Sequence, residues 1–84
     1  MIKNYVKKPV IIEAVQWTGD NIDEIINFCG NSLTFKGSKP SRIYIHTFKG
    51  RYLCSPYDYI IKDDELGMFY PCKPDVFEQT YEEV

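Results

Sequence analysis

The alternation of apolar and polar residues predicts a strand early in the chain. Residues 9–17 read PVIIEAVQW, and apolar side chains occupy both alternating sets of positions. A strand of that kind is typical of a sheet that is covered on both faces. We therefore expect residues 9–17 to form a buried strand that ends at Thr18 and Gly19.

Helical periodicity follows in residues 20–29. Their apolar side chains fall at i, i+3, i+4 and i+7 and form one stripe of a helix: Ile22, Ile25, Ile26 and Cys29. Asp20 is placed to cap the first turn, and Gly30 is placed to end the helix. Cys29 is accordingly predicted to be a small core residue without a chemical role.

A hairpin is predicted in residues 42–55. Lys49 and Gly50 are the expected two-residue turn, which would pair His46 with Leu53. One face then carries Ile43, Ile45, Tyr52 and Cys54 and is expected to point to the core. The other face carries Tyr44, His46, Phe48, Arg51 and Leu53. Its composition fits either an exposed aromatic and basic surface or a second core face beneath a helix.

A second hairpin and a terminal helix complete the pattern. Residues 58–62 and 68–70 read as paired strands on either side of the turn DDELG. Pro71 and Pro74 lack an amide donor, so each is expected to stop sheet pairing. Asp75 and Glu78 form a helix-opening capping pattern, and the following helix places Phe77 and Tyr81 on one face. Cys72, between the two prolines, is predicted to be a structural corner.

Together these elements predict an α+β fold. The 84 residues allow one domain, residues 1–84. We expect a mainly antiparallel sheet of four to six strands, covered by the helix at 20–29. The short C-terminal helix is expected at an edge of the sheet or on the same face.

Charge is unevenly distributed around a net value of −2. Residues 1–57 carry eight Lys or Arg and four Asp or Glu, whereas residues 58–84 carry two and eight. The two parts either neutralise each other within one fold or leave an acidic face for a basic partner. The candidate partner-binding residues of that face are Asp58, Asp63, Asp64 and Glu65. No segment has the length of a membrane span or the apolar middle of a signal peptide, so a soluble, cytoplasmic protein without membrane contact is expected.

The candidates for chemistry are few. Cys29, Cys54 and Cys72 are widely spaced and form no C-x-x-C pair, so neither disulfides nor a zinc site is indicated. His46, the single histidine, lies on the opposite face of its hairpin from Cys54, which argues against a thiol nucleophile with a base. We therefore expect no catalytic residues, no metal, no cofactor and no enzyme activity.

The loop FKGSKPSR is a candidate ligand site. Lys36, Lys39 and Arg42 lie beside Gly and Ser, a composition that can hold a phosphate group. Tyr44, Phe48 and Trp17 are the aromatic residues that could stack on a base. Ordinary solvent-exposed loops have the same composition, so this alternative stays open.

Two segments resemble a known group of proteins. KKPVIIEAVQWTGDNIDEI and DYIIK…FYPCKPDVFEQTYEEV, at residues 7–25 and 58–84, resemble small proteins encoded by phages and prophages of Gram-positive bacteria. Those proteins commonly carry glycine before "DYI", where this chain has Tyr57, and a shorter glycine-containing turn in place of DDELG. The resemblance implies a small accessory protein in the cytoplasm of the infected cell, with no catalytic residues to transfer.

Two function hypotheses lead from this point. The first is a non-enzymatic accessory protein that binds a host protein, for example an inhibitor of a host defence or nucleic-acid-handling factor. The second is a small-ligand binder that sequesters a nucleotide signal or another phosphate ligand, as a homo-oligomer whose pocket spans chains. A small enzyme is the least favoured alternative.

Overall fold

The computed structural model describes residues 1–6, 9–64 and 67–84. The strands within these ranges are β1 (Glu13–Gln16), β2 (Leu33–Phe35), β3 (Ile43–Thr47), β4 (Gly50–Cys54), β5 (Tyr59–Asp63) and β6 (Met68–Cys72). The helices are α1 (Ile22–Cys29), which continues into a 3₁₀ turn at Gly30–Ser32, and α2 (Pro74–Thr80). The α+β prediction is confirmed.

The six strands form two antiparallel sheets of three. The first sheet has the order β1-β5-β6, and the second has the order β2-β3-β4. β5 is therefore the central strand of the first sheet, and β1 is an edge strand whose one partner among the described strands is β5. Both predicted hairpins, β3–β4 and β5–β6, are present.

The main core lies between the two sheets and α1. Ile60 of β5 and Trp17, just beyond β1, pack with Ile25 of α1 and with Ile43 and Ile45 of the second sheet, and all five are fully buried. Cys29 and Cys54 belong to the same cluster, which confirms the prediction for Cys29. Phe28 of α1 contacts Phe69 of β6 edge to face, with ring centroids 5.3 Å apart. α1 and the second sheet therefore cover one face of the first sheet.

The terminal helix covers the opposite face of the first sheet. Because side chains alternate along β5, Tyr59 and Ile61 point away from the face that carries Ile60. Phe77 of α2 stacks on Tyr59 with ring centroids 3.8 Å apart, and Ile61 is buried. The prediction that the terminal helix lies at an edge or on the same face as α1 is wrong, because β5 has an apolar residue for each side.

The first strand is shorter and more exposed than its sequence predicts. Only residues Glu13–Gln16 pair, and Val10 and Ile11 are 66% and 83% exposed. The expectation of a strand covered on both faces along residues 9–17 is therefore wrong for a single chain. Its apolar start, residues 9–12, precedes β1 and pairs with no strand among the described residues.

α1 begins one residue later than expected, and Asp20 is not its cap. Asn21 is the capping residue, and its side chain does not bond the first turn of amides. The Asn21 Oδ1 atom instead accepts from the Thr18 amide at 2.9 Å, and its Nδ2 donates to the Gln16 carbonyl at 2.8 Å and to Glu24 at 2.7 Å. Asn21 thus links the end of β1 to the start of the helix.

The β3–β4 turn is Phe48–Lys49 and not Lys49–Gly50. Thr47 pairs with Gly50, and His46 pairs with Arg51 where Leu53 was predicted. The register differs by two residues, so the two faces keep their predicted members. Gly50, with φ of 125°, follows the turn and begins β4.

Two predictions about the corner before α2 are also wrong. Pro71 lies within β6 and opposite Ile60, since β6 is an edge strand in which a residue without an amide donor is tolerated. Asp75 makes no capping hydrogen bond, because the helix already begins at Pro74 with Lys73 as its cap. Pro74 acts as expected, at the first helical position.

Tyr57 adopts a left-handed backbone conformation between β4 and β5. Its φ is 75°, whereas every other positive φ among the described residues belongs to a glycine. The Tyr57 amide donates to the Trp17 carbonyl, and the Tyr57 carbonyl accepts from the Gln16 side chain at 3.0 Å. These bonds hold the turn against β1.

We predict that Tyr57→Gly stabilises the protein. A non-glycine residue in this conformation costs about 1–2 kcal/mol, and the extra freedom of an unfolded glycine offsets about 0.5–1 kcal/mol of that. The net gain should be roughly 0.5–1 kcal/mol in urea unfolding. Tyr57→Ala is the control, because it removes the same exposed ring and keeps the strain. A glycine variant no more stable than the alanine variant would contradict the prediction.

We predict that Phe77→Ala strongly destabilises the protein. The substitution removes the ring that lies between Tyr59 and Tyr81, with centroids at 3.8 and 4.9 Å. Since Phe77 is only partly buried, the loss should be about 2–3 kcal/mol, below the roughly 3–5 kcal/mol of a fully buried Phe. Asp75→Ala, two residues earlier in the same helix and without a capping bond, should cost less than about 0.5 kcal/mol. Equal losses in chemical denaturation would show that α2 is not held by its ring stack.

Candidate functional site

The outer face of the second sheet is the most distinctive exposed surface of the fold. We use the term outer face for five side chains that point away from the core and one in the adjoining turn: Thr34, Tyr44, His46, Arg51, Leu53 and Phe48. The register brings them together, because Tyr44 lies opposite Thr34 and Leu53, and His46 lies opposite Arg51.

Specific contacts order this face. The Arg51 guanidinium lies 4.4 Å from the centroid of the Tyr44 ring, in a cation–π arrangement. The His46 Nε2 and Thr34 Oγ1 atoms are hydrogen bonded across β3 and β2. Phe48 is 73% exposed at the turn, and Leu53 is also exposed. The result is an apolar, aromatic surface with a fixed cation at its centre.

The interpretation of the outer face as a second core face beneath a helix is wrong. α1 and α2 lie against the two faces of the first sheet, and no helix of the described residues covers the outer face. The sequence pattern could not settle this point, because both readings require the same side chains at the same spacing.

The predicted phosphate loop is exposed but not organised around a centre. Lys36, Lys39 and Arg42 lie in the connection between β2 and β3, and all three are exposed. Pro40, between them, is buried and anchors the loop. The loop leads directly into Tyr44, so its cations adjoin the outer face at one end.

Trp17 does not belong to any binding surface. Its exposure is 0%, and it packs in the main core. Among the described side chains it finds no hydrogen-bond partner for its Nε1 atom. Its assignment as a base-stacking residue is wrong, because the chain turns inward after β1 and directs the indole between α1 and the second sheet.

Asp58 is a structural residue and not part of an acidic docking face. It is 3% exposed, and its Oδ2 atom accepts from the Ser55 amide at 2.9 Å and from the Lys73 ammonium at 3.1 Å. These bonds connect the β4–β5 turn to the corner that precedes α2. The sequence offered one signal for this role, since Ser55-Pro56-Tyr57-Asp58 has the composition of a turn.

The remaining acidic candidates are dispersed. Asp64 is exposed and lies 3.7 Å from the Lys62 ammonium in an ion pair of the surface. Asp63 ends β5 and is partly buried. Glu65 lies outside the described residues. The acidic face therefore loses Asp58, its first predicted member.

The three thiols are shifted away from reactivity. Burial raises the pKa of Cys29 to about 11, and burial together with the Asp58 charge raises that of Cys54 to about 12. The pKa of Cys72 is also raised, first by burial and then by the carboxylates of Asp58 and Asp75. A nucleophilic cysteine requires the opposite shift.

The described residues contain neither a metal-ligand cluster nor a helix that could span a membrane. No three His, Cys, Asp or Glu side chains within ranges 1–6, 9–64 and 67–84 are grouped so as to hold a metal ion. In the same ranges, neither helix reaches the length and apolar character needed to cross a bilayer.

Comparison with known proteins identifies no matching family model, no matching curated protein and no matching solved structure.

We predict that Asp58→Ala destabilises the fold without a specific effect on binding. The change leaves the Ser55 amide and the Lys73 ammonium without their acceptor, and should cost about 2–3 kcal/mol. Asp58→Asn, which keeps one acceptor oxygen, should cost less. Asp64→Ala is the matched control at an exposed ion pair, where less than about 1 kcal/mol is expected. Similar losses for Asp58→Ala and Asp64→Ala in thermal or urea unfolding would contradict the structural role.

Proposed function

We propose that this protein acts by binding and not by catalysis, with a host protein as its partner and the outer face as its binding surface. In this proposal it is a phage-encoded accessory protein that works in the cytoplasm of the infected cell. It blocks a host factor, for example one of defence or nucleic-acid handling. The resemblance of residues 7–25 and 58–84 to phage proteins supports the setting.

The exposure of the outer face is the observation that carries the proposal. Phe48 and Leu53 are large apolar residues exposed at the two ends of this surface: Leu53 lies opposite Tyr44, and Phe48 lies in the turn that follows Thr47. The His46–Arg51 pair lies between them. Aromatic residues and Arg are enriched at protein interfaces, and they supply most of the residues that dominate binding energies. The raised thiol pKa values further disfavour the thiol-nucleophile alternative.

The shape and charge of this surface favour a protein partner over a small ligand. The outer face is a sheet surface and not a cavity, whereas small ligands are usually held in concave sites. Lys49 and Arg51 are basic, and no acidic residue belongs to the outer face as defined. The complementary surface is therefore apolar with an acidic rim, and charge attraction should speed the encounter.

A nucleotide or other phosphate ligand is the second candidate. The observation that favours it is the proximity of three exposed cations, Lys36, Lys39 and Arg42, to the aromatic Tyr44 at the start of β3. Stacking on an aromatic ring and phosphate contact with nearby cations are the usual elements of such sites.

We predict that Phe48→Ser combined with Arg51→Glu abolishes partner binding. Tagged full-length chain is used to recover partners from host lysate, and each recovered partner is then titrated in purified form. The double variant should weaken binding at least about tenfold, as expected for loss of a central aromatic and a central Arg. Val76→Ser, at an exposed apolar position of α2, is the control and should bind as the wild type does.

Two outcomes separate the candidates. A partner that binds the double variant as tightly as the wild type would contradict the outer face as the binding surface. A nucleotide that binds the wild type and is lost on combined Lys36→Ala, Lys39→Ala and Arg42→Ala substitution would favour the second candidate.

A further inference from the structure

A slot for an additional strand lies at the open edge of β1. β1 pairs with β5 along one side only. α1 lies against one face of the first sheet and α2 against the other, so the two helices flank this edge from opposite sides. A groove of about 900 Å³ occupies the space. Its lining comes from Ile12, β1, Tyr59 of β5, both helices and the tail, and its apolar walls include Val15, Phe28, Phe77 and Tyr81.

An unpaired strand edge presents free amide and carbonyl groups, and it is a template for pairing with another strand. Proteins normally protect such an edge with charge, proline or a covering segment. Here apolar and aromatic side chains of the two helices and the tail lie beside the edge of β1, so an added strand with large apolar side chains would pack against them.

The N-terminal arm, residues 1–12, has the character of that missing strand. Ile12 is partly buried, and the apolar residues before it include five that are exposed over most of their surface: Ile2, Tyr5, Val6, Val10 and Ile11. The radius of gyration is 14.7 Å, against about 12 Å for a compact chain of this length. The longest dimension of the molecule is 57 Å, more than twice the next. Residues 1–6 are exposed throughout, and residues 9–12 border a shallow groove with Tyr70 and Tyr81 of their own chain and leave Val10 and Ile11 largely exposed.

The charges of arm and groove are complementary. The arm carries Lys3, Lys7 and Lys8 and no acidic residue. The groove is lined by five glutamates and by no Lys or Arg among the described residues: Glu13, Glu24, Glu78, Glu82 and Glu83. A basic strand therefore suits this slot better than an acidic or neutral one.

We propose that the slot at the edge of β1 binds the N-terminal arm of a second copy of this chain. The arm of each copy runs antiparallel along β1 of the other, about a two-fold axis, so that the two first sheets join into one sheet of six strands. A two-fold arrangement buries both arms with the same set of contacts. The exposed Val10 and Ile11 then lie between the helices of the other copy, and the lysines face its glutamates.

A charge-swap experiment tests this proposal. The arm variant combines Lys3→Glu, Lys7→Glu and Lys8→Glu, and the groove variant combines Glu78→Lys, Glu82→Lys and Glu83→Lys. Glu24 is left intact because it accepts the hydrogen bond from Asn21 at the start of α1. The molecular mass is measured by analytical ultracentrifugation over a range of concentrations, and circular dichroism checks that each variant is folded.

The wild type should form a dimer that weakens with added salt, as expected for paired surface charges. Each variant alone brings like charges together and should associate at least about tenfold more weakly. An equimolar mixture of the two variants should restore the dimer, because each arm then meets a groove of opposite charge. A third variant, with Lys36→Glu, Lys39→Glu and Lys49→Glu, changes the net charge equally outside the arm and should dimerise as the wild type does.

Three results would overturn the proposal. The wild type could remain a monomer at all concentrations. Both charge variants could dimerise as tightly as the wild type, which would place the interface elsewhere. The mixture could fail to restore a dimer that each variant has lost, which would mean that the arm docks on its own chain or contacts another surface. If a variant unfolds, Ile11→Asp in the arm replaces it, and it should lower association in the same way.

Discussion

The structure depends on one strand, β5, being buried on both faces. Ile60 and Ile61 are consecutive, so they point to opposite sides of the first sheet, and both are almost completely shielded from water. One side requires α1 and the second sheet as its cover, and the other requires α2. This constraint explains why a chain of this length divides its strands between two sheets and places its helices on opposite faces. β5 has a paired strand on each side, β1 and β6, and a covering layer on each face. β1 pairs with β5 on one side and lies at the edge of the sheet on the other.

The connections between layers are made by a few polar groups next to this strand. Asp58, directly before β5, accepts from Ser55 and from Lys73, and so joins the turn that enters the strand to the corner that leaves the sheet. The Tyr57 amide bonds to the Trp17 carbonyl, which ties the same turn to the end of β1. Buried bonds to a charged group are stronger than those between neutral groups. In a short chain with a small core, these hydrogen bonds stabilise the point where the β4–β5 turn, the end of β1 and the corner before α2 meet.

The sequence predicted the kinds of elements well and their surroundings less well. The sequence placed the turn between β3 and β4 one residue too late, which shifts the pairing of the two strands by two residues. A shift of two residues leaves each side chain on the same face of the sheet, so the predicted faces were correct. The sequence overestimated the burial of residues 9–17. Their apolar pattern is typical of a strand that is paired and covered on every side, whereas the described residues of one chain supply a single pairing strand, β5. Asp58 and Trp17 were misjudged for a common reason. Whether a polar or aromatic residue is covered depends on packing between distant segments, which local patterns do not contain.

The apolar pattern of residues 9–12 acquires a physical explanation if the arm is shared between two copies. In that arrangement the strand that the sequence describes as fully covered becomes covered, and the open edge of β1 disappears. The slot is lined by residues of the first sheet, the helices and the tail, and the outer face belongs wholly to the second sheet, so the two surfaces share no residue. A dimer would therefore present two outer faces at once. For a binding protein, two linked faces raise the effective affinity for an oligomeric or repeated partner without any new contact.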